Sequence, residues 1–319
     1  MDKNEINENN NSSRILCVGM CVLDIVHVCS KFPEEDTDRR CLKGYWQRGG
    51  NASNNCTVLR NLNADCEFLG MLSESQAFGF LNDDCRKRGI RIENCPITPQ
   101  DPPFSSVVLS QESDSRTIIH SNSNFPILKF EHFDRVDLAA YSWIHFEGRN
   151  PEETLQMMQK IHDSNRRTQG QSIKISVELE KLKGELFDLV GQSDYVFLGK
   201  ELALFMGWQS GQEALDGVQK MCPNPKEGII CTWGSKGSFC LNEAGDLHHI
   251  EPCPPAGKIV DALGAGDTYC AAVIYGLDRM KLSLEKAVEL GNRVAGFKLG
   301  HCGYDAIREI EPEKMLKIN

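Results

Sequence analysis

From Arg14 onward, short apolar segments bounded by turn residues alternate with longer stretches of helical period, the pattern of strand and crossover helix. Ile15 to Gly19, Cys66 to Met71, Trp143 to Phe146, Ile173 to Val177, Tyr195 to Leu198 and Ile229 to Thr232 read as strands with little polar interruption. Strands look that way when helices cover both faces of their sheet. Between them, the stretch 155–162 places Leu155, Met158 and Ile161 on one stripe, and 284–294 places Leu284, Val288 and Gly291 on another. The expectation is an α/β fold with a mostly parallel central sheet and helices on both faces.

One region breaks the alternation. Ser106 to Leu109 and Arg116 to His120 are β-rich runs flanking the polar stretch Gln111-Glu112-Ser113-Asp114-Ser115, which predicts a hairpin. A second extended and polar stretch, 22–46, follows the first strand and carries Pro33 and acidic residues. Together they predict a small sheet standing off the main one. Residues 1–13, crowded with Asn, Asp, Glu and Ser, read as a disordered tail without the basic flank and apolar run of a secretory signal.

Composition narrows the function classes. A formal charge of -10 over 319 residues argues against nucleic-acid binding, which needs a basic surface to displace counterions. No apolar stretch approaches the roughly 18 residues of a spanning helix, so no membrane association is expected. The 14 cysteines are scattered, form no C-x-x-C pair and sit in apolar runs, as at Cys17, Cys21, Cys231 and Cys240. They read as reduced core thiols of a cytoplasmic protein. Cys17, Cys21 and His27 lack the spacing of a tetrahedral metal site.

Candidate chemistry begins late in the chain. Gly264-Ala265-Gly266-Asp267 precedes a small and apolar run, 268–277, of helical character, so the glycines open a helix. Unpaired backbone N–H groups and the helix dipole make such a start an anion site, and glycine lets a phosphate approach the backbone. Asp267 beside that anion is a candidate base toward an attacking hydroxyl. It could equally be a carboxylate that merely complements the dipole. The dipole also favours the ionised form, predicting a weak base and a late proton transfer. The chain contains no G-x-x-x-x-G-K-S/T sequence, no histidine-arginine-aspartate loop and no G-x-G-x-x-G after the first strand. Three common phosphate solutions are thereby excluded.

Early in the chain, Gly49-Gly50-Asn51-Ala52-Ser53-Asn54 opens a helix with two asparagines three apart, on one face. Asn offers donor and acceptor together, so the pair with a carboxylate such as Asp24 suits a polyol.

The early G-G-N-A-S-N segment and the late D-x-L-G-A-G-D segment together resemble the two signature motifs of the ribokinase-like sugar kinases. The resemblance runs from about Arg14 to the C-terminus. The stretch Trp143-Ile144-His145-Phe146-Glu147-Gly148-Arg149-Asn150 is similar to the one in members that phosphorylate D-fructose at its 1-hydroxyl. It implies an ATP-dependent kinase whose domain spans 14–319, with a β lid formed by about 22–46 and 104–121. Asp24, Gly50, Asn51 and Asn54 would bind sugar hydroxyls, and Asp267 would be the base. Gly264, Ala265 and Gly266 would hold the transferring phosphate. Gly234, Ser235, Lys236 and Gly237 would border the nucleotide, and Arg116 would reach the phosphates from the lid.

Two departures stand out. Ala262 follows Asp261 where the family often has Thr, beside a loop where a monovalent cation often binds; the resemblance still implies K+ at Asp261. Where the family has N-x-x-E to organise Mg2+ through water, the chain has Leu198-Gly199-Lys200-Glu201, so Glu201 survives and Asn is lost. A kinase for ribose, adenosine or another sugar would keep the same late motif, and a non-catalytic binding protein could keep the fold. Apolar side chains expected on the lid, Val107, Leu109 and Ile118, predict a homodimer with lids in contact.

Overall fold

The computed structural model describes residues 13–317 except 114, 123, 169–171, 182–183 and 223–226. The tail expected over 1–13 therefore lies almost wholly outside the described residues, as does Asp114 in the hairpin loop. The described strands are β1 (Arg14–Val18), β2 (Val22–Cys29), β3 (Lys43–Gly49), β4 (Cys66–Leu69), β5 (Leu72–Ser73), β6 (Ile97–Thr98), β7 (Phe104–Ser110), β8 (Ser115–Ser121), β9 (Tyr141–Glu147), β10 (Lys174–Leu179), β11 (Tyr195–Leu198), β12 (Gly228–Thr232), β13 (Ser238–Asn242) and β14 (Leu247–Ile250). The longer described α-helices are α1 (Asn51–Asn61), α2 (Phe80–Lys87), α3 (Pro151–Arg167), α4 (Gly211–Met221), α5 (Ala265–Asp278) and α6 (Leu284–Leu299).

Eight strands form the main sheet in the order β14-β13-β12-β11-β10-β9-β1-β4. Pairing is parallel from β4 to β12 and antiparallel at β12–β13 and β13–β14. The apolar strands of the sequence are thus the parallel ones. Alternation of side chains within those continuous apolar runs sorts them into two cores. Ile15, Cys17 and Trp143 face the core containing α1, α5 and α6 residues, while Leu16, Val18, Ile144 and Phe146 face the core containing α3 and α4 residues. The helices begin where local chemistry allows. Pro151 opens α3, Ser210 accepts from the Glu213 N–H at α4, and Ser283 accepts from the Lys286 N–H at α6.

A second sheet has the order β3-β2-β7-β8. Its outer pairs are antiparallel and β2–β7 is parallel. The stretch read as one extended segment, 22–46, is therefore two strands, and β7–β8 is the expected hairpin. Val26 and Val107, both fully buried, pack with Leu263, the residue just before the glycine turn. Val107 is thus not an exposed apolar side chain of the small sheet, as the sequence suggested. Leu109 is half-buried, and the exposed large apolar residues among the described residues of the hairpin are Phe104, Ile118 and Ile119, the last two at 47% and 65%.

Candidate active site

Gly264 is the N-cap of α5 and adopts the left-handed conformation, φ 73° and ψ 17°. A Cβ there would stand 1.8 Å from the Tyr304 hydroxyl, so both the dihedral and the neighbour require glycine. Two residues on, a Cβ on Gly266 would meet nothing within 4 Å. That is open space over a helix start. The first i→i−4 bond of the helix runs from the Thr268 N–H to the Gly264 carbonyl at 2.9 Å, which leaves the amides of Gly266 and Asp267 without intrahelical acceptors. An anion seated over Gly266 would meet those donors and the positive end of the dipole.

Asp267 lies in this first turn and is buried. Asn54 Nδ2 donates to its Oδ2 at 2.7 Å. Burial, then the neighbouring Glu178, holds the Asp267 carboxyl well above the usual carboxylate range, with the Asn54 bond opposing. The sequence reading took only the dipole into account. Burial and the approach of Glu178 act against the ionised form that a helix start favours.

The opposing wall is the start of α1. Gly50, its N-cap, has φ 94°, and a Cβ would stand 2.2 Å from the Met20 carbonyl. Helical spacing carries Asn51 and Asn54 to neighbouring positions. Asn51 Nδ2 donates to Glu178 Oε1 at 3.1 Å and to Glu180 Oε2 at 2.8 Å. Asn54 Oδ1 is buried and has no hydrogen-bond partner among the described residues.

Asp24 sits on β2 opposite Gln47 of β3 and Ser105 of β7, and Ser105 in turn faces His120 of β8. These four positions form one transverse row across the small sheet. Ser105 Oγ and His120 Nδ1 lie 3.2 Å apart, and Gln47 Nε2 is buried without a partner among the described residues. Burial pushes the Asp24 carboxyl up to about 6, opposed by a hydrogen bond from Ser105.

Gly234, Ser235 and Lys236 form an exposed turn after β12, and Gly237 closes it at φ 81°. Glu201 is exposed in the first turn of the short helix after β11 and has no hydrogen bond or ion pair to a described residue. Arg116 reaches from β8 to the Ala262 carbonyl, Nη1 to O 3.4 Å, which brings its guanidinium beside the glycine turn.

Asp261, the residue expected beside a monovalent cation, is held from several sides. Its Oδ1 accepts from the Leu263 N–H and its Oδ2 from the Gly303 N–H, both at 2.9 Å. The buried ammonium of Lys298 lies 2.9 Å from Oδ2 and donates to the Asp261 carbonyl at 2.9 Å. Each oxygen of Asp261 thus already accepts a hydrogen bond, and the Lys298 ammonium stands where its carbonyl and Oδ2 converge. Lys298 was overlooked because an isolated lysine near the end of an amphipathic helix gives no signal in sequence. Gln47, Ser105, His120, Glu178 and Glu180 were missed for a related reason, since only strand pairing brings them to the site.

The fold and this constellation define a phosphotransferase of the carbohydrate-kinase class: a profile of the pfkB family carbohydrate kinases matches residues 12–309, and the chain belongs to that family. The architecture is ribokinase-like. Ribokinase from Giardia lamblia superimposes with a TM-score of 0.79 at 16% identity, covering 96% of this chain and 99% of that one. Among individual proteins, the chain is 43% identical to ketohexokinase of Mus musculus over 298 residues, which is 92% of this chain and 98% of the mouse enzyme. It is 24% identical over 296 residues to a nucleoside kinase of Methanocaldococcus jannaschii, 89% of each.

Proposed function

We propose that the protein is a ketohexokinase that converts D-fructose and ATP to D-fructose 1-phosphate and ADP. The observation that carries the reading is the juxtaposition of a buried carboxylate, Asp267, with an open helix start at Gly266, across from the unpartnered acceptor of Asn54. The extended similarity to mouse ketohexokinase supports fructose within that class.

In this reading Asp24, Gly50, Asn51 and Asn54 hold the sugar so that its 1-hydroxyl lies against Asp267. Asp267 accepts the hydroxyl proton as the oxygen bonds to the γ-phosphorus. The bond from that phosphorus to the bridging β,γ-oxygen breaks, and ADP leaves. The turn Gly264, Ala265 and Gly266 holds the transferring group, and the amides of Gly266 and Asp267, with Arg116, stabilise its charge. Gly234, Ser235, Lys236 and Gly237 border the nucleotide. Magnesium, which the family implies, would neutralise the ATP phosphates; the uncommitted carboxylate of Glu201 is suited to hold it through water.

The small sheet acts as a lid, excluding water that would otherwise compete as acceptor. Two copies of the chain pair through it, since Ile118 and Ile119 are left uncovered. Light scattering at micromolar concentration should give a dimer, and a monomer would count against the pairing. The wholly unpaired cysteines accord with a reducing, cytoplasmic setting.

A coupled ADP assay over fructose, ribose, adenosine and other acceptors, with phosphorus NMR of the product, tests the assignment. Fructose 1-phosphate is the expected product. Turnover on ribose or adenosine alone would overturn the fructose reading. Asp267→Ala should retain the fold and lose about a hundred- to ten-thousand-fold in turnover; near-normal turnover would sink the role of Asp267 as base.

A further inference from the structure

Lys298 lies near the end of α6 and is among the largest fully buried side chains of the protein. An ammonium has three donors and no acceptor. All three are used: the carbonyls of Asp261 at 2.9 Å and Leu263 at 2.5 Å accept from Nζ, and Asp261 Oδ2 lies 2.9 Å away. The backbone N–H groups of Val260 and Asp261 donate to the Leu299 carbonyl, fastening the same segment to the same helix end. Nζ also lies 5.6 Å from the ring centroid of Tyr304, whose hydroxyl abuts Gly264. One cation therefore braces the segment that leads into the glycine turn and the side chain that walls it.

Burying a lysine is costly, and burial here drives its pKa down while Asp261 draws it back up. An apolar side chain would fill the space without that cost. What it would not do is orient carbonyls. In a trans peptide the N–H of the following residue points opposite to the carbonyl. With the Asp261 and Leu263 carbonyls turned onto Nζ, the N–H groups of Ala262 and Gly264 face away from it. Two carbonyls and a carboxylate converging on one point are a donor set that would suit an alkali cation, and the protein fills it from its own chain.

We infer that Lys298 is a positioning residue for phosphoryl transfer, a tethered cation that holds the Asp261–Leu263 segment in the conformation from which the turn at Gly264 presents its amides. The inference rests on the reading of that turn as the phosphate cradle. Lys298 touches no reacting atom. Its effect passes through the loop.

The test is Lys298→Met, of similar length but uncharged, assayed beside the wild type in choline, ammonium and potassium chlorides at equal ionic strength. In choline, the variant's kcat should fall to about a tenth of wild type or less, with KM for the sugar within about threefold, the signature of an interaction felt mainly in the transition state. The variant to wild-type ratio should rise severalfold in ammonium or potassium, as a free cation enters the vacated cage. A ratio near one in choline, or a low ratio that no cation alters, overturns the inference. Lys298→Gln, which keeps donors without charge, is the second variant. If both lose their circular dichroism signature with no recovery in ammonium, Lys298 serves the fold alone and the inference falls. The cradle reading is tested separately by Gly266→Ala and Asp267→Ala: normal turnover in both would remove the cradle itself, whatever Lys298 does.

Discussion

Asn54 Nδ2 lies 2.7 Å from Asp267 Oδ2, a bond between residues 213 positions apart that joins the start of α1 to the start of α5. It touches the two properties Asp267 needs. Donation to one oxygen fixes the carboxylate, and it favours the charged form against the burial that raises the pKa. Removing the donor should therefore push the Asp267 pKa further up. In Asn54→Leu the acid limb of the kcat/KM profile is expected to move to higher pH. The sugar KM should rise as well, because the unpartnered Oδ1 goes with the amide. A pH profile with fructose as acceptor checks both, and an unmoved acid limb would show that Asn54 does not tune Asp267.

Two glycines two residues apart should fail in opposite ways. Gly264→Ala meets the Tyr304 hydroxyl and a left-handed backbone, so the variant should be less stable by about 1 to 3 kcal/mol or more. Gly266→Ala meets nothing and lies in a helical turn, where alanine stabilises by up to about 1 kcal/mol relative to glycine. Its methyl group would stand where the phosphate should sit. Thermal melting should show Gly266→Ala as stable as wild type or more so, while its kcat/KM for ATP falls by about tenfold or more, about 1.4 kcal/mol of transition-state binding. Unchanged ATP kinetics would place the phosphate elsewhere.

How much of this was legible in the chain follows from how each feature is encoded. The parallel strands announce themselves because both faces are buried, so Tyr195–Leu198 is a continuous apolar run in sequence and a fully buried strand in structure. β13 and β14 lie at the end of the sheet and alternate with Ser, Asn and His, and Leu247–Ile250 is too polar and exposed to stand out. The glycine turn was legible because backbone geometry demands specific residues in sequence order. The row from Gln47 through Asp24 and Ser105 to His120 was not, because its members share nothing but strand register. The surroundings of Asp267 were illegible for the same reason. A helix dipole is local and visible in sequence, whereas burial and the approach of Glu178 are products of tertiary packing.

Asp24 gives a pH dependence of definite sign. Its carboxyl titrates at about 6 in the fold against 3.8 as the ordinary value, chiefly because it is desolvated. Below about pH 4 it is protonated whether the chain is folded or not, and it costs nothing. As the pH rises toward 6 the unfolded chain releases the proton first, so stability falls through that window. Above it the full cost of a buried carboxylate stands, about 3 kcal/mol by the pKa difference. Asp24→Asn removes the charge and nearly keeps the shape, so its melting temperature should exceed that of wild type at pH 8, and the gain should shrink toward pH 4. The same variant should bind sugar more weakly, since a neutral amide accepts hydroxyl bonds less strongly than a carboxylate. Calorimetry of both proteins at pH 5 and pH 8, with and without fructose, separates the effects. If Asp24 is unstable because it awaits sugar hydroxyls, fructose should raise the melting temperature of wild type more than that of Asp24→Asn at pH 8. Equal increments would mean that the sugar does not reach Asp24.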